Sequence, residues 1–335
     1  MAYTGYKRYL GVAKEGATWG SGVAPSKWYD FITEGIAGDP SNLYLETAGQ
    51  EAYPDGLPGP WKQAGPVEML LCPENCGEIL LAAFGKSTPL SGASVAWQHT
   101  FELARPLGSL TLEIFPGKIG STAYPRRIEG VGIKSLKFEA AARELCIMTV
   151  ETVGRKETIL TSSAFSAHTE VKKPFTFWQS AIEWGGSGLA SRVEAFRCTL
   201  ENPIDDDAFV LDTRFLPGIK MSGHRMLTGE MDIQFESWDE YRRIYGGNAS
   251  QVTPISGIDA SADLSLKLVM TGGATNDATY ANYRLELDIP HVRLDTSEAN
   301  VDKRERIVQS VGFTALEVSG SYLFKAILWN RESSY

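Results

Sequence analysis

Cysteine is scarce in this sequence, and long apolar runs are missing from it. The four cysteines, Cys72, Cys76, Cys146 and Cys198, are too few among 335 residues for a disulfide framework, so we expect free thiols in a reducing cytoplasm. No stretch approaches the about 18–20 apolar residues of a membrane helix. Glycines and charges also interrupt every apolar run between positions 9 and 31, unlike the pattern of a secretion signal. These absences predict a soluble protein without redox chemistry.

Positive charge is also in short supply. The 32 Lys and Arg residues are outnumbered by 41 Asp and Glu residues, and the net charge is −9. Because tight nucleic-acid binding relies on Lys and Arg that displace counterions from phosphates, this balance argues against a protein that grips nucleic acid. It is compatible with nucleic acid that passes the protein without being held.

Clustered metal ligands and catalytic motifs are lacking as well. Cys72 and Cys76 have no second Cys or His pair at zinc spacing, and the acidic run 205–207 lacks the alternation of a calcium loop. The Gly-rich stretch at Trp184 has neither a nucleophile elbow nor the lysine of a phosphate-binding loop. With 41 acidic residues and eight tryptophans a glycoside hydrolase is an alternative, although no acid–base pair stands out. We predict no enzyme activity, metal or cofactor.

What the sequence does contain favours β-structure. It has 33 glycines and 16 prolines, and Val, Ile, Thr, Tyr and Phe recur in short runs. Several runs alternate in polarity; between Ser109 and Phe115, for example, apolar residues alternate with Thr111 and Glu113. A chain of 335 residues usually forms two domains. We therefore predict a mainly β fold with two domains.

One order of elements occurs twice along the chain. A helix pattern that stops at Gly85 is followed by four strand-like runs, and a second helix pattern that stops at Gly246 is followed by four more. Strand-like runs also precede each helix, and in the first half these are NLYLETA and GPVEMLL. We infer a duplication into two tandem β-sandwich domains, residues 1–160 and 161–335, each with one short flanking α-helix.

The stretch LGVAKEGATWGSGVAPSKWYDF, which starts at Leu10, resembles the start of the major tail tube proteins of long-tailed bacteriophages. The matching positions are Leu10, Gly11, Ala13, Lys14, Glu15, Thr18, Trp19, Gly20, Ala24 and Pro25. The segment from Leu285 to Leu316, with its D-x-x-x-A-N-V turn and the run IVQSVGFTAL, is similar to the closing strands of the same family. The central run PFTFWQSAI at Pro174 also fits the family.

The resemblance implies a structural virion protein, made in the host cytoplasm, with no catalytic residues and no cofactor. Such proteins are tail-tube-type β-sandwiches that assemble into rings, and the rings stack into a tube through which double-stranded DNA passes without specific binding. The implied partners are other copies of the chain and the tape measure, tail terminator and tail tip proteins, with no membrane. A carbohydrate-binding or adhesin-like β-sandwich, monomeric in solution, is the alternative.

The resemblance also gives the glycine-broken N-terminal segment, residues 1–30, a role as an arm. We expect this arm to reach a neighbouring ring, because Gly and Ala-Pro let it bend while aromatic side chains hold it in place. The candidate contact residues are Lys14, Glu15, Trp19, Trp28, Tyr29 and Phe31. An ordinary first β-hairpin of the domain is the alternative.

An acidic channel would suit the passage of a polyanion, because it repels phosphate. We expect the polar faces of alternating strands to line it, with the leucines between them in the sandwich core. The candidate lining residues are Thr111, Glu113, Asp263, Ser265, Lys267, Arg284, Glu286 and Asp288.

Barrel geometry predicts the size of a ring. The resemblance implies an inner barrel of about 24 strands, to which each of six sandwiches gives about four. With strands spaced ~4.8 Å apart and tilted by ~35–45°, this barrel has a backbone diameter of roughly 45–50 Å, which admits a DNA duplex. If each sandwich gives about four strands and the chain holds two sandwiches, three chains close the barrel. We therefore predict trimeric rings with pseudo-sixfold symmetry. The candidate barrel strands are Ser94–Glu102, Ser109–Phe115, Asp263–Met270 and Tyr283–Ile289.

Overall fold

The structure is a computed structural model that describes residues 8–117, 124–165, 173–185, 187–188, 192–246, 250, 252–254, 264–298 and 306–335. Over these residues the chain is mainly β, as predicted, with long strands and two short α-helices. Neither of these two helices has the length and apolar character needed to cross a membrane.

The two halves of the chain each contain one α-helix among many strands. The first half comprises β1 (Tyr9–Lys14), β2 (Lys27–Tyr29), β3 (Thr33–Glu34), β4 (Ala37–Asp39), β5 (Leu43–Tyr44), β6 (Gly56–Leu57), β7 (Lys62–Leu70), α1 (Gly77–Phe84), β8 (Gly85–Ser91), β9 (Trp97–Leu103), β10 (Leu110–Phe115), β11 (Arg126–Ala141), β12 (Ile147–Gly154) and β13 (Lys156–Ile159). The second half comprises a 3₁₀ turn (Phe177–Gln179), β14 (Ser180–Trp184), β15 (Ser187–Gly188), β16 (Val193–Glu201), β17 (Met226–Gln234), α2 (Asp239–Gly246), β18 (Leu264–Ala274), β19 (Asn282–Glu298), β20 (Val308–Ala315) and β21 (Lys325–Asn330).

Helix α1 is a core helix, with seven of its eight residues buried. It ends at Gly85 as the sequence predicts, because Gly85 has φ 98°, a left-handed conformation that glycine adopts without strain. It begins at Gly77, because Asn75 holds the preceding residues in a turn. The Asn75 side chain accepts a hydrogen bond from the Cys72 N–H at 3.1 Å and donates one to the Leu70 carbonyl at 2.9 Å.

Eight strands from both halves form one continuous antiparallel sheet, which we call the joined sheet. Its order is β4, β7, β12, β11, β16, β17, β20 and β19. The halves meet at the β11–β16 pair, where seven residue pairs run from Ser135 opposite Glu201 to Ala141 opposite Ala195. Of the two long strands, β11 and β19, only the C-terminal parts belong to this sheet.

The N-terminal parts of β11 and β19 belong to a further layer. In the first half its order is β2, β1, β10, β11 and β13. In the second half the order is β15, β14, β18, β19, β21, β9 and β8, and we call these strands the second sheet. The hairpin β8–β9 comes from the first half, so the β21–β9 pair joins the halves a second time.

The strand pairings of the two halves correspond. Two sets of strands correspond in chain order: β1, β2, β3 with β4, β7, β10, β11, β12 and β13 in the first half, and β14, β15, β16, β17, β18, β19, β20 and β21 in the second. Each pairing within the first set has its counterpart within the second. Both long strands also carry a bulge opposite the strand that follows them, at Lys134 in β11 and at Asp295 in β19. Such a match in pairing and in irregularity is what a duplicated unit would produce.

The correspondence differs in two details from the one that the order of sequence runs suggests. Hairpin β8–β9 stands between α1 and β10, so β18 corresponds to β10 and not to the first strand after α1. The run NLYLETA forms only the two-residue strand β5 in an exposed hairpin, and the segment of β3 and β4 takes the predicted place beside β7. Two-residue strands leave too short an alternation to be recognised in a sequence.

One contiguous apolar core draws on both halves of the chain. Phe138 and Leu200, on the two strands that meet at the junction, are at most 1% exposed. Phe196 and Phe313 stack with their ring centroids 6.1 Å apart. Of the leucines expected in the core, Leu264 is partly buried against it and the others are buried in it, namely Leu110, Leu112, Leu266, Leu285 and Leu287. Burying each such side chain contributes about 1.5–3 kcal/mol.

Candidate channel and subunit-contact surfaces

Glu15 fixes the N-terminal segment within its own protomer. The side chain is 4% exposed, and its carboxylate accepts hydrogen bonds from the N–H groups of Gly20 at 2.9 Å and Gly130 at 2.7 Å. The hydroxyls of Ser109 and Thr111 donate to it at 2.6 and 2.9 Å. Gly20 reaches this position with φ 67°, which glycine tolerates without strain. In the unassembled chain Glu15 is therefore held by its own protomer, and its expected contact with a neighbouring ring stays a prediction.

Trp28 and Tyr29 are likewise internal, with exposures of 0% and 1%. Trp28 packs edge-on against Phe115 and Phe165, at centroid distances of 6.3 and 5.3 Å. Because β1 pairs with both β2 and β10, this stretch forms the first strands of the fold. These two aromatic residues therefore pack inside the protomer, and their expected contact with a neighbouring ring stays a prediction.

The remaining arm candidates lie nearer the surface. The Lys14 ammonium donates a hydrogen bond to the main-chain oxygen of Tyr335 at 3.2 Å. The indole of Trp19 lies 5.2 Å from the Arg155 guanidinium. Phe31 is partly buried and packs against the edge of the core. Their role in contacts between rings stays a prediction.

Thr111 and Glu113 are fully buried in β10. The Thr111 hydroxyl accepts a hydrogen bond from the Val23 N–H at 3.0 Å. Glu113 accepts hydrogen bonds from Arg127 at 2.7 and 3.0 Å and from the Ser163 hydroxyl at 2.9 Å. The strand does alternate in polarity, but segments distant in the sequence cover its polar side. Neither residue faces solvent in the unassembled chain, and their expected place in a channel lining stays a prediction.

The exposed face of the second sheet carries a row of charges of alternating sign, and we call it the balanced face. From β14 to β8 the row is Glu183, Lys267, Asp288, Lys325, Glu102 and Lys86. Arg284 and Glu286 occupy neighbouring rows on β19, so four carboxylates meet four cations. Four predicted lining residues lie on this face, Lys267, Arg284, Glu286 and Asp288, and Ser265 lies on β18 beside them. Asp263 lies outside the described residues.

Neighbouring charges on the balanced face neutralise one another. Glu102 lies 2.8 Å from Lys86 and 2.9 Å from Lys325. Hydrogen bonds from these two ammonium groups lower the pKa of the Glu102 carboxyl. Tyr322 donates a hydrogen bond to Asp288. The face is thus held together by its own charges and is left without a net charge.

Glu286 is the most enclosed charge of the balanced face, at 8% exposure. Its two carboxylate oxygens lie 2.8 Å from Lys267 and 2.7 Å from Arg284. The Arg284 guanidinium also stacks 4.6 Å from the Trp329 ring. The hydrogen bond to Glu286 raises the pKa of Lys267. Glu286 therefore serves the packing of the sheet more than it faces solvent.

The exposed face of the joined sheet is acidic, and we call it the acidic face. Its side chains alternate along each strand with core residues. Its carboxylates are Glu68, Glu139, Glu151, Glu201, Glu230, Asp232 and Glu298, and its cations are Lys137, Arg197 and Arg293. A row of hydroxyls crosses it, namely Thr149, Thr199, Thr228 and Thr314. These seven carboxylates exceed the three cations by four, and the opposed pair Asp39 and Lys62 at the β4 edge adds one charge of each sign, so a formal excess of four negative charges remains.

Arg197 lies at the centre of the acidic face. Its guanidinium is 3.2 Å from Asp232 and 3.7 Å from both Glu139 and Glu230. Lys137 also lies 2.9 Å from Glu139, so two cations serve these three carboxylates and one negative charge remains in excess. None of the channel residues expected from the sequence lies on β16 or β17, so those expectations miss this face. The alternation of Glu, Arg and Thr in these strands was the signal that could have found it.

Two long loops project from the same end of the joined sheet. Residues 40–61 connect β4 to β7, and residues 202–225 connect β16 to β17. Four antiparallel steps separate β7 from β17, so both strands start at one end of the sheet. The loops touch, because the Trp61 N–H donates to the Arg214 carbonyl at 2.7 Å. Their exposed apolar side chains are Leu43, Tyr44, Leu45, Tyr53, Leu57, Val210 and Leu211.

The titratable groups that could support chemistry are isolated. In the described ranges, no three His, Cys, Asp or Glu side chains lie close enough to hold a metal ion. All four cysteines are buried and unlinked, and burial raises the pKa of Cys72 to about 12. Burial also lowers the pKa of His99, whose Nε2 lies 2.8 Å from the Glu332 carbonyl. The four cysteines and His99 therefore contribute to the packing of the protein interior.

The family assignment rests on a match to nearly the whole chain. A family model described as phage tail tube protein matches residues 5–315, a span that contains every strand from β1 to β20. No curated protein matches the sequence. Since the matched span is far more than half of the chain, the protein belongs to the phage tail tube protein family.

Proposed function

We propose that the chain polymerises as stacked rings into a phage tail tube whose channel conducts DNA during ejection. Membership of the tail tube family supports self-assembly into a tube. The observation that carries the ring architecture is the joined sheet, because its eight strands run through both halves without interruption. Copies of such a sheet, placed side by side, can close into a barrel and leave no edges exposed.

Each chain contributes two sandwich units to the ring, residues 1–160 and 161–335, which share one core. The matched strand pairings and the matched bulges at Lys134 and Asp295 support this duplication. Three joined sheets supply about 24 strands, which fits a barrel of roughly 45–50 Å backbone diameter. The ring is therefore a trimer with pseudo-sixfold symmetry.

The acidic face lines the channel. Its excess of four negative charges repels the phosphates of a passing duplex, whereas the balanced face has no net charge. Hydroxyls such as Thr199 and Thr228 add polar side chains without adding cations that would hold DNA. The strands Ser94–Glu102, Ser109–Phe115 and Tyr283–Ile289, expected in the barrel, then belong to the outer layer. The balanced face is the alternative lining.

The loops 40–61 and 202–225 form the stacking surface between rings. They lie at one end of the joined sheet, and in a barrel whose strands run along the tube this end becomes one rim of the ring. Their exposed apolar side chains, among them Tyr44 at 60% and Leu211 at 96%, are suited to burial against the next ring. This surface takes over the role that was expected of the N-terminal arm.

The location and the other partners follow from the tube. The protein is made in the host cytoplasm and ends in the virion, where the channel holds the tape measure protein before ejection. The tail terminator and the tail tip proteins bind the two ends of the tube. Double-stranded DNA passes through without specific binding.

The mass of one ring tests the proposal. Purified protein is assembled, imaged by electron microscopy and weighed by native mass spectrometry after the tubes are split into rings. We expect three chains of 36.7 kDa per layer. Six chains per layer would show that the duplication is misassigned. A stable monomer that binds a glycan would favour the carbohydrate-binding alternative and contradict the tube.

A further inference from the structure

The joined sheet ends on two strand edges that no described strand covers. At one end β4 pairs with β7 alone, and Ala37, Gly38 and Asp39 are all exposed. At the other end the stretch from Thr296 to Glu298 pairs with β20, and no described strand lies on its other side. Uncovered edges of a long sheet favour pairing with another chain.

The junction inside the chain shows how two such edges meet. There the C-terminal part of β11 pairs antiparallel with β16, and Ser135, which follows the bulge, lies opposite Glu201. In the duplicated arrangement β19 corresponds to β11, and β4 corresponds to the C-terminal end of β16. The sheet thus contains one copy of a junction whose second copy needs another molecule.

The bulges fix the correspondence residue by residue. Counting from Lys134 and Asp295, Thr296 in β19 takes the place of Ser135 in β11. The same count continues from β19 through β20 and β17 to β16, and from β11 through β12 and β7 to β4. It shows that Asp39 in β4 takes the place of Glu201 in β16. Both replacements keep the chemistry, a hydroxyl for a hydroxyl and a carboxylate for a carboxylate.

We propose that the β19 edge of one chain pairs antiparallel with the β4 edge of a second copy, with Thr296 opposite Asp39 and Glu298 opposite Ala37. The pairing repeats the β11–β16 junction between molecules and continues the acidic face from one chain to the next. No like charges meet in this register, because Asp39 faces a hydroxyl and Glu298 faces a methyl group. A slip by one residue would turn the polar side chains toward the core. The inference rests on the proposed ring assembly.

A disulfide across the contact tests the register. In Thr296→Cys/Asp39→Cys the two cysteines lie directly opposite each other, where the Cα atoms of an antiparallel pair are about 4.5–5.5 Å apart and can be bridged. In the matched control, Thr296→Cys/Ala37→Cys, the diagonal distance of about 7–8 Å is too long. The native cysteines are all buried, so wild-type tubes should stay unlinked. Tubes are assembled, oxidised and run on a denaturing gel without reductant.

We expect covalent dimers and trimers from the directly opposed pair, at least about fivefold more than from the diagonal control, with the closed trimer as the largest product. Assembled tubes that stay monomeric on the gel, equal linking in the control, or a link within one chain would overturn the pairing. If wild-type protein forms no rings, the proposed function fails as well. Rings without the link overturn this inference alone.

Hydrogen exchange on the wild-type protein decides the matter should the cysteine variants fail to fold. The main-chain amides of residues 37–39 and 296–298 are compared in the unassembled chain and in tubes. We expect exchange at both stretches to slow at least about tenfold on assembly, because each edge gains hydrogen-bonded partners. Unchanged exchange at either stretch would contradict the pairing.

Discussion

The two exposed sheet faces of the molecule use their charges in opposite ways. On the balanced face each carboxylate has a cation beside it, as Glu102 has Lys86 and Lys325. On the acidic face carboxylates outnumber cations by four, and three of the carboxylates share Arg197. Paired surface charges give modest stability and little field at a distance. Unpaired charges of one sign give no local stability but create a field that reaches about a Debye length.

This difference suggests a division of roles, in which the charges of the balanced face stabilise the protomer and those of the acidic face act on DNA in the assembled tube. If the acidic face lines the channel, its side chains should tolerate substitution in the unassembled protein and matter only when DNA passes. If the balanced face is structural, substitutions there should destabilise the unassembled protein and have little effect on the passage of DNA. The predictions below test this division, from the largest expected change in free energy to the smallest.

The side of the joined sheet that faces the core should carry its stability. Replacing Phe196 with Ala removes a 1% exposed ring from its stack on Phe313 and leaves a cavity at the junction of the halves. We expect a loss of about 3–5 kcal/mol in the free energy of unfolding, measured by urea denaturation of unassembled protein. Thr199→Ala, on the acidic face of the same strand, is the control and should change stability by less than about 0.5 kcal/mol. Equal losses would contradict the division.

The buried carboxylate of Glu15, whose hydrogen-bond donors are all neutral groups, should stabilise the protomer more than an exposed charge does. Glu15→Gln keeps the shape but turns an acceptor into an amide N–H₂ group that faces donors from Gly20, Gly130, Ser109 and Thr111. We expect a loss of about 1–3 kcal/mol, measured by chemical denaturation. The exposed neighbour gives the control, Lys14→Gln, which should be close to neutral. A neutral Glu15→Gln variant would show that the N-terminal segment is not held by this carboxylate.

Reversing charge on the acidic face should slow DNA without unfolding the protein. The variant Glu68→Lys/Glu151→Lys/Glu201→Lys adds cations that contact phosphates, and we expect ejection from complemented phage particles to slow about tenfold at low salt and to recover as salt rises. Ejection is followed with a DNA-binding dye. The matched single controls are Glu151→Lys and, on the balanced face, Glu183→Lys. A stronger, salt-dependent effect of Glu183→Lys would assign the channel to the balanced face.

The smallest effect is expected from one charge of the balanced face. Its two lysine partners lower the pKa of Glu102 in the folded protein, so its stabilising effect is present above the unfolded value of about 4.3 and is lost as the pH falls through the folded value. Glu102→Gln should therefore cost less than about 1 kcal/mol at neutral pH, because the group is partly exposed, and nothing near pH 2. Unfolding curves at both pH values measure the difference. A loss independent of pH would contradict the ion pairing.

Local patterns in the sequence predict local structure well. Alternation identifies β10, and the glycine after α1 predicts the end of that helix, because both features depend on neighbours along the chain. Burial of Thr111 and Glu113 could not be predicted, because the covering groups come from Val23 and Ser163, distant in the sequence. The choice between two polar faces also escapes the sequence, since every alternating strand offers one. Only the pairings of β11 with β16 and of β9 with β21 show which strands share a face across the halves.

The two long loops at one end of the joined sheet are unlike each other, and this inequality has a consequence for the assembled tail. Six copies of a single-unit protein would offer the same contact at every position around a rim, so the next ring could settle in any of six equivalent orientations. A ring of three duplicated chains presents residues 40–61 and residues 202–225 in alternation. Half of the six orientations would then set each loop against the wrong counterpart, and the tube could select one helical twist by rejecting them.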